Sequence, residues 1–453
     1  MANGITSVEM VQAAGRAGMI GFFGAGGLAP DNIAHAIDQI QSDRERFPFG
    51  FNLIHSPNDP ELEEKTVQLY LSKGIDLVSA SAYLDLTLPL VYYRIKGIHH
   101  RQDGSIICPN RIIAKVSRVE VARKFFAPPP EKLLHRLIEQ QRIRVEEAQL
   151  ARHIPMADAL TAEADSGGHT DNRPALALLP TLLALRDAMM ATHGYDQSVP
   201  VGLGGGIATP AAAAAAFAMG AAYILTGSIN QACIEAGTSA VVRQMLAGAK
   251  QADVTMAPAA DMFEMGVKLQ VLKRGTMFPM RANKLYELYH THNAYEEIDL
   301  KNRKMLEQTY FQSSFEEEWQ RTKSFFKLRD PKQIERAQTN PKHKMALVFR
   351  SYLGQSSGWA NSGNPQRKMD YQIWCGPAMG AFNEWVKGSF LENPVNRDVV
   401  TVALNLLYGA SVQLRANALC YQGIPLKSEI GRIRPLSRQT LQQRLKSSSL
   451  QSR

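Results

Sequence analysis

The chain has 453 residues, 45% of them hydrophobic, and a formal net charge of +9. This length exceeds one ordinary domain, and the hydrophobic fraction is enough to build a sizeable core. The four cysteines lie far apart without a CxxC pair, which excludes a disulfide framework and a cysteine-based metal site. No signal-peptide pattern precedes Ser7, and the most apolar stretch, 211–222, is too short to span a bilayer. We therefore expect a soluble, cytoplasmic protein without metal or membrane contact.

The first 240 residues alternate between short apolar strands and helices. Each helix begins near a capping residue or a proline, as helix N-termini commonly do. Strands separated by helices predict a parallel sheet, and the right-handed βαβ rule then favours a barrel or a doubly wound sheet. The predicted strands are 19–23, 50–54, 75–80, 112–116, 159–163, 199–203 and 223–225. The predicted helices include 7–17, 30–41, 60–73, 173–192 and 210–219.

An insertion of about 117–157 interrupts this alternation. It is longer than one helix with two connecting loops requires. It contains two charged helix patterns, 131–140 and 144–152. We therefore predict an inserted helical segment.

Basic residues concentrate in two stretches. Residues 115–153 carry nine Lys and Arg against five Asp and Glu, and residues 268–284 carry five cations and no acid. Two interpretations stay open: solvated helix faces, or a docking surface for an acidic partner. No nucleic-acid binding motif accompanies the charge, so nucleic acid is not expected as a partner.

A histidine follows the strand predicted at 159–163. The strand runs into Gly167 and Gly168, and His169 comes next. A histidine after two glycines at a strand end is accessible to a ligand, and its pKa near neutrality suits proton transfer. A purely structural histidine is the alternative. We predict that His169 is catalytic.

Two later strands each end in glycine. Gly204, Gly205 and Gly206 leave no side chain over the first strand end, so backbone N–H groups can approach an anion there. Gly227 and Ser228 repeat this feature after the second. In (β/α)8 barrels a phosphate site is frequently built by the loops after strands seven and eight. The pattern predicts a phosphate cradle, with ordinary tight turns as the alternative.

The alternation stops after residue 240. We expect the region 241–453 to be mostly helical and to pack on the barrel, with its longest helix near 396–422. Loops are expected at 354–365 and 375–380, and a disordered polar tail at 447–453.

Three motifs together resemble a known superfamily. Gly-Gly-His at 167–169, Gly-Gly-Ile at 205–207 and Gly-Ser at 227–228 are similar, in this order, to motifs of the FMN-dependent nitronate monooxygenase (2-nitropropane dioxygenase-like) barrels. Longer stretches narrow the resemblance to PfaD-type, trans-acting enoyl reductases of polyunsaturated fatty acid and polyketide synthases. These stretches are 165–174, 225–231, 235–239 and 370–380. The resemblance covers nearly the whole chain.

The resemblance implies a fold. It is an α/β (β/α)8 TIM barrel over 1–240, with an inserted helical segment and a C-terminal helical appendage over 241–453. Residues 1–5 resemble the loop after the family's first strand. We therefore expect the first strand to be missing from this chain, which leaves seven.

The resemblance also implies FMN as cofactor. Lys115 is expected near the flavin N1–O2 edge, with an ordinary ion pair as the alternative. Asn52 is a flavin contact or a polar cap on its strand, and Asp165 is expected to orient His169 or bind the ribityl chain. The implied cofactor-binding residues are Ala2, Gly24, Ala25, Gly26, Asn52, Lys115, Asp165, Gly168, Gly204, Gly205, Gly206, Gly227 and Ser228.

The implied reaction is reduction of a 2-enoyl thioester held on acyl carrier protein, with NADPH (or NADH) as hydride donor. Hydride passes through the flavin to Cβ, and Cα takes a proton from His169 or from water. No GxGxxG follows a predicted strand, so a separate Rossmann site for the nicotinamide cofactor is not expected. The alternatives are a nitronate monooxygenase-like flavin oxidase and a non-catalytic, FMN-bound scaffold of a synthase complex. Chain length of the substrate and oligomeric state stay open, with a homodimer as one option.

Overall fold

The computed structural model describes residues 1–55, 59–427 and 429–450. The chain forms two compact units. The first, which we call the barrel unit, comprises Met1–Ser166, Asp171–Gly237 and Ala381–Arg453. The second, which we call the helical unit, comprises Gly167–Thr170 and Thr238–Gly380.

One parallel sheet organises the barrel unit. Its seven strands follow the order β1-β2-β3-β6-β7-β9-β10, so strands that follow one another in the chain are neighbours. This is the strand order of a (β/α)8 barrel, and all seven predicted strands are confirmed within a few residues. Among the described residues the strands are β1 (Gly21–Phe23), β2 (Phe49–Ile54), β3 (Leu77–Ser81), β4 (His99–His100), β5 (Ile106–Ile107), β6 (Arg111–Val116), β7 (Ala159–Glu163), β8 (Gly168–His169), β9 (Val201–Gly204), β10 (Ile224–Leu225), β11 (Val254–Pro258) and β12 (Lys268–Leu272).

Helices cover one face of the sheet, and alternate side chains of each strand point towards them. On β6 and β7, for example, Ile112, Ala114, Leu160 and Ala162 are fully buried in one hydrophobic core. In chain order the described helices are α1 (Val8–Arg16), α2 (Pro30–Gln41), α3 (Pro60–Ser72), α4 (Leu88–Ile95), α5 (Val119–Phe126), α6 (Glu131–Glu139), α7 (Val145–Ala151), α8 (Ala175–His193), α9 (Pro210–Ala218), α10 (Ser228–Gln231), α11 (Ala240–Ala247), α12 (Phe278–Thr291), α13 (Leu300–Met305), α14 (Phe315–Arg329), α15 (Pro331–Thr339), α16 (Pro341–Ser362), α17 (Ala378–Val386), α18 (Val399–Tyr421) and α19 (Arg438–Leu450). Short 3₁₀ turns lie at Gln251–Asp253, Phe263–Met265, Tyr295–Glu297, Pro365–Asp370, Phe390–Glu392 and Pro394–Asn396, with a π-helical turn at Leu306–Phe311.

The insertion between β6 and β7 consists of helices α5, α6 and α7. Helices α6 and α7 pack against α4 inside the barrel unit. Their amphipathic sequences bury Leu134 and Leu137 on α6 and Ala148 and Ala151 on α7. The predicted inserted helices therefore lie where the charge and apolar patterns placed them.

The C-terminal region divides differently from the expected single appendage at 241–453. Residues 238–380 do form the helical unit, but Ala381–Arg453 belongs to the barrel unit. Helix α18 packs along α9 there. The approach is close because a Cβ on Gly409 would lie 2.6 Å from the Cβ of Pro210. Through α18, residues 381–453 are thus part of the helical layer around the sheet.

Two smaller expectations need correction. The loop predicted at 354–365 is instead the second half of α16, which continues to Ser362 and ends at Gly363 in the left-handed conformation. Burial of one face of α16 outweighs the roughly 1 kcal/mol that each interior glycine costs. The tail predicted as disordered from 447 is helical to Leu450, and residues 451–453 lie outside the described part of the chain.

The helical unit contains a three-stranded antiparallel sheet that the sequence did not predict. Its order is β11-β12-β8, and β12 pairs with β8 so that Leu269 lies opposite His169. Helices α12, α14 and α16 enclose a second hydrophobic core. Because β8 pairs with β12, the Gly-Gly-His segment belongs to this unit.

Two described helices, α8 and α18, have the length and hydropathy of membrane spans. This is weak evidence, because core helices of soluble proteins have the same composition. Leu178, Leu179 and Leu182 of α8 are buried in the core of the barrel unit. One face of α8 therefore packs into the core, and 28% of its apolar window is buried.

Candidate active site

The glycines at the ends of β9 and β10 form an open cradle. The two strands are paired with Gly204 opposite Leu225, which places the turns that follow them side by side. A Cβ added to Gly206 or to Gly227 would have no atom within 4 Å. The chain therefore leaves room at both turns, as a bound anion on backbone N–H groups requires. Ser228 begins the short helix α10 directly after this space.

The other cradle glycines have internal reasons to be glycine. Gly205 has φ +90°, and its Cβ would lie 2.6 Å from the carbonyl of Ala164. The amide of Ala164 donates to the oxygen of Gly204 at 2.8 Å. The cradle is thus held against the end of β7, with its open side at Gly206.

Helix α9 begins immediately after the cradle as predicted. Thr209 is its N-cap and accepts a hydrogen bond from the amide of Ala212 at 3.2 Å, and Pro210 is the first helical residue. The N-terminus of α9 therefore adds a positive partial charge after the glycines.

A second glycine turn follows β1. The amide of Asn3 donates to the oxygen of Gly26 at 2.7 Å, and that of Gly4 donates to the oxygen of Gly24 at 2.8 Å. A Cβ on Gly24 would lie 1.9 Å from the oxygen of Met1, and one on Gly26 would lie 2.3 Å from Ile54 Cδ1. The turn after β1 is thus tightly packed against the end of β2. It contains the predicted residues Gly24, Ala25 and Gly26, and the predicted residue Ala2 packs on it.

Lys115 and Asn52 lie on the sheet face opposite the helices. Lys115 Nζ forms an ion pair with Glu163 Oε1 at 2.7 Å, which is the pairing that the alternative interpretation of Lys115 expects. Asn52 alternates with the buried Phe51 and Leu53, and its carbonyl accepts a hydrogen bond from the hydroxyl of Tyr70 at 2.7 Å. Contact of either side chain with a flavin stays a prediction.

The loop after β8 is anchored by an ionised carboxylate. Asp171 accepts two hydrogen bonds from Arg118, at 2.9 and 3.0 Å, and one from Ser117 at 2.6 Å. The bonds from Arg118 lower the pKa of Asp171 to about 2, although burial opposes the shift. Asp165, on the other side of this loop, accepts a hydrogen bond from Asn172 at 2.8 Å. These contacts hold both ends of the segment that carries His169.

His169 and Gly168 are described with the helical unit. Gly168 has φ +82°, a conformation that favours glycine. His169 Nε2 lies 3.1 Å from Asp261 Oδ1. Desolvation raises the pKa of Asp261, but the hydrogen bond and charge of His169 and two backbone hydrogen bonds outweigh it, and the pKa of this carboxylate, which is 61% exposed, falls below its usual value. Asp261 is thus an ionised partner that can orient the imidazole, a role for which the sequence suggested Asp165.

Most cations of the two predicted basic stretches are already paired. Their partners are acids of the same unit, which favours solvated, ion-paired faces for these stretches. The paired residues are Lys115, Arg118, Lys124, Arg142, Arg144 and Arg152 in the first stretch and Arg274, Arg281 and Lys284 in the second.

A different basic segment lies at 427–438, which we call the C-terminal basic segment. Its residues 431–436 lie along α18, where the amide of Leu436 donates to Asn405 at 2.7 Å. Its exposed cations have no ion pair among the residues that the structure describes, and Glu429 is its one acid. These cations are Lys427, Arg432, Arg434 and Arg438. No charge run in the sequence singled this segment out, because its cations are spaced by apolar and polar residues.

Sequence reasoning also missed a buried cluster at the ends of β2 and β3. His55 follows β2, and its Nδ1 lies 2.8 Å from Glu63 of α3. Tyr83 follows β3 and donates to the same carboxylate at 3.0 Å. The position of His55 directly after a strand was the signal that could have drawn attention to it.

Comparison with known families matches two regions of the chain. The nitronate monooxygenase family matches residues 1–297. The inserted helical domain of [acyl-carrier-protein] S-malonyltransferase matches residues 292–371, within the helical unit. The first match includes both glycine turns and His169.

Individual relatives come from lipid and polyketide synthesis. One subunit of the polyunsaturated fatty acid synthase of Thraustochytrium is 50% identical over 92% of this chain and 28% of its own length. Polyketide biosynthesis protein PksE of Bacillus subtilis is 49% identical over 91% of this chain and 54% of its own. The chain therefore spans between about a quarter and about half of these relatives. The solved enoyl reductase domain of MlnA from the macrolactin cluster of Bacillus amyloliquefaciens is 40% identical, with a TM-score of 0.88 over 92% of this chain and 94% of that one.

Proposed function

Because the chain belongs to the nitronate monooxygenase family, we propose that it is an FMN-dependent enoyl reductase that acts in trans within a polyketide or polyunsaturated fatty acid synthase. Its substrate is a 2-enoyl thioester on acyl carrier protein, and NADPH or NADH is the hydride donor. The observation that carries this proposal is the likeness to a solved enoyl reductase domain over nearly the full length of both chains. Relatives from two kinds of synthase support the setting, and a cytoplasmic location follows from it.

The open cradle would take one phosphate group. Gly206, Gly227 and Ser228 would hold the phosphate of FMN, and the turn Gly24–Gly26 with Asn52 and Lys115 would lie along its ring. When bound, FMN would carry hydride from the nicotinamide to the β-carbon of the enoyl chain. The empty volume beside Gly206 and Gly227, where a Cβ would meet no atom, supports this assignment.

His169 would serve the thioester end of the substrate. Hydride addition at Cβ moves negative charge onto the thioester oxygen, and a hydrogen-bond donor there stabilises that charge by several kcal/mol. Asp261 Oδ1, 3.1 Å from His169 Nε2, would orient the ring for this donation. Water or an acid of this chain would then supply the proton at Cα.

The C-terminal basic segment would receive the carrier protein. Its exposed cations, which have no ion pair within the described part of the chain, suit an acidic partner better than the paired cations of 115–153. The barrel unit supplies this segment, and α18 beneath it packs on α9, the helix that follows the cradle.

The test is an anaerobic cycle of flavin absorbance. We expect the purified protein to be yellow and to release FMN on denaturation. NADPH should bleach the absorbance, and crotonyl-carrier protein should restore it. Release of FAD or of no flavin would contradict the cofactor assignment.

The same cycle separates the two alternatives. A nitronate oxidase would consume oxygen with alkyl nitronates in the absence of NADPH. A non-catalytic scaffold would fail to bleach or fail to recover.

A further inference from the structure

A histidine and a buried carboxylate form a pair at the carboxyl end of β2. His55 Nδ1 lies 2.8 Å from Glu63 Oε2, and the Glu63 residue is 3% exposed. The imidazole stacks on the ring of Tyr83 with 5.4 Å between ring centroids and 27° between planes. The backbone amide of His55 donates to the oxygen of Ser81 at 3.2 Å. Stacking, the ion pair and the backbone bond together fix the orientation of the ring.

The hydrogen-bond pattern assigns the proton on Nδ1. Glu63 also accepts from the Tyr83 hydroxyl at 3.0 Å and from the Thr87 hydroxyl. A carboxylate surrounded by three donors accepts from each of them, so Nδ1 of His55 carries hydrogen. Nε2 is then the nitrogen that gains and loses a proton. Burial and the charge of Glu63 raise the pKa of Tyr83 well above its usual range, so Tyr83 stays a neutral donor.

The location of the pair points to chemistry. Active sites of (β/α)8 barrels lie at the carboxyl ends of the strands, and His55 is the first residue after β2. Its neighbour Ile54 packs against the Gly24–Gly26 turn, which the proposed function places beside the flavin. The side chain of His55 is 21% exposed, so part of the ring reaches solvent while Nδ1 is bound to Glu63.

We propose that His55, oriented by Glu63, is the acid that protonates the substrate at Cα. This inference rests on the proposed enoyl reduction. FMN, when bound and reduced by NADPH, would supply the hydride for the C–H bond at Cβ, and the electron pair of the C=C bond would move into the enolate of the thioester. The proton on Nε2 of His55 then forms the C–H bond at Cα, and solvent water returns a proton to the neutral imidazole. His169 keeps the separate task of donating to the thioester oxygen, and Glu63 is a positioning residue.

The test compares three single substitutions in the flavin-loaded protein. For His55→Asn we expect FMN content and NADPH bleaching at the wild-type level, with recovery on crotonyl-carrier protein slowed about 100-fold. The alkaline limb of the recovery rate against pH should disappear and the solvent isotope effect should change. For Glu63→Gln we expect a smaller loss of about 10-fold, with the NMR signal of the hydrogen on Nδ1 of His55 changed. Tyr93→Phe, which removes a buried hydroxyl outside the cluster that donates to the oxygen of Ile75 at 2.9 Å, is the matched control and should stay within about threefold.

These experiments distinguish failure of the role of His55 from failure of the proposed function. If the wild-type protein bleaches but never recovers with an enoyl thioester, the enoyl reductase assignment and the role of His55 both fall. If the wild type recovers and His55→Asn recovers at the same rate, the role of His55 alone falls. Should His55→Asn lose FMN, His55→Gln, whose amide can still donate to Glu63, takes its place. An NMR spectrum of the wild type with hydrogen on Nε2 in place of Nδ1 at high pH would also overturn the inference.

Discussion

The glycine turn after β1 and the glycine turns after β9 and β10, all in the barrel unit, look alike in sequence and differ in what surrounds them. In the turn after β1, added Cβ atoms at Gly24 and Gly26 would lie 1.9 and 2.3 Å from atoms of the protein itself. In the turns after β9 and β10, added Cβ atoms at Gly206 and Gly227 would meet nothing within 4 Å. Gly24 and Gly26 are glycine because other atoms of the protein occupy the space that a Cβ would take. At Gly206 and Gly227 no atom occupies that space, and a turn that binds a ligand requires such free space.

The comparison is sharpest at Gly227. Gly206 has φ +74°, so backbone conformation alone could explain its glycine. Gly227 has φ −131° and ψ −78°, and no atom of the described residues lies within 4 Å of an added Cβ, so packing does not call for glycine there. A bound phosphate would supply the missing reason. Substitutions at these turns and at His169 can therefore separate internal packing, ligand binding and chemistry.

The largest effect is expected from His169→Ala, which tests whether chemistry is separate from binding. The variant should keep FMN and still bleach with NADPH, because neither turn is changed. Recovery on an enoyl thioester should slow by about 10²–10⁴-fold, the range for loss of a positioned acid or donor. Stopped-flow absorbance of the two half-reactions measures this. Loss of flavin together with both half-reactions would make His169 a cofactor-binding residue, and no change would make it structural.

Gly24→Ala should destabilise the fold. Its Cβ would overlap the oxygen of Met1, so the turn must move, at a cost of about 2–4 kcal/mol. We expect this loss in thermal or urea unfolding of the flavin-free protein, where no ligand contributes. An unchanged melting temperature would show that the turn is loose, and the comparison between the two turns would then fail.

Gly227→Ala should have the opposite profile. The flavin-free protein should unfold at the wild-type temperature, because the methyl group meets empty space. Affinity for FMN should fall about 10–100-fold, which corresponds to one weakened charge-assisted hydrogen bond. Fluorescence titration with FMN measures the change. The control is Gly354→Ala, exposed in α16 with no atom near its Cβ, which should leave FMN affinity unchanged and stabilise by up to about 1 kcal/mol.

The smallest effect is expected at the C-terminal basic segment. Replacing Arg432 and Arg434 by Glu should raise KM for enoyl-carrier protein about 3–10-fold and leave KM for crotonyl-CoA unchanged, because screened surface charges act on association. Lys132 and Arg136, exposed on α6 without an ion pair among the described residues, provide a control of equal charge change. An effect of the control alone would move docking to the insertion. Equal effects on both substrates would place these arginines in nucleotide or flavin binding.

The helices, strands and motifs that depend on neighbouring residues could be predicted from the amino-acid sequence. The apolar strands, the Thr209 cap, the proline that begins α9 and the glycines after β9 act within a few residues, so their patterns were readable along the chain. The seven-stranded parallel sheet followed, because strands that alternate with helices pair in chain order.

Tertiary structure alone decided the contacts that join distant residues. Three such features depend on which surfaces meet: the pairing of the two-residue strand β8 with β12, the packing of α18 on α9 and the continuation of α16 through Gly354. The local sequence pattern of each segment is compatible with other structures. The same holds for the partners of the two histidines. Asp261 lies 92 residues from His169, and Glu63 meets His55 through the packing of α3 against β2. A side chain's partner is set by burial and by the geometry of several elements at once, and this information is absent from the neighbours of any one residue.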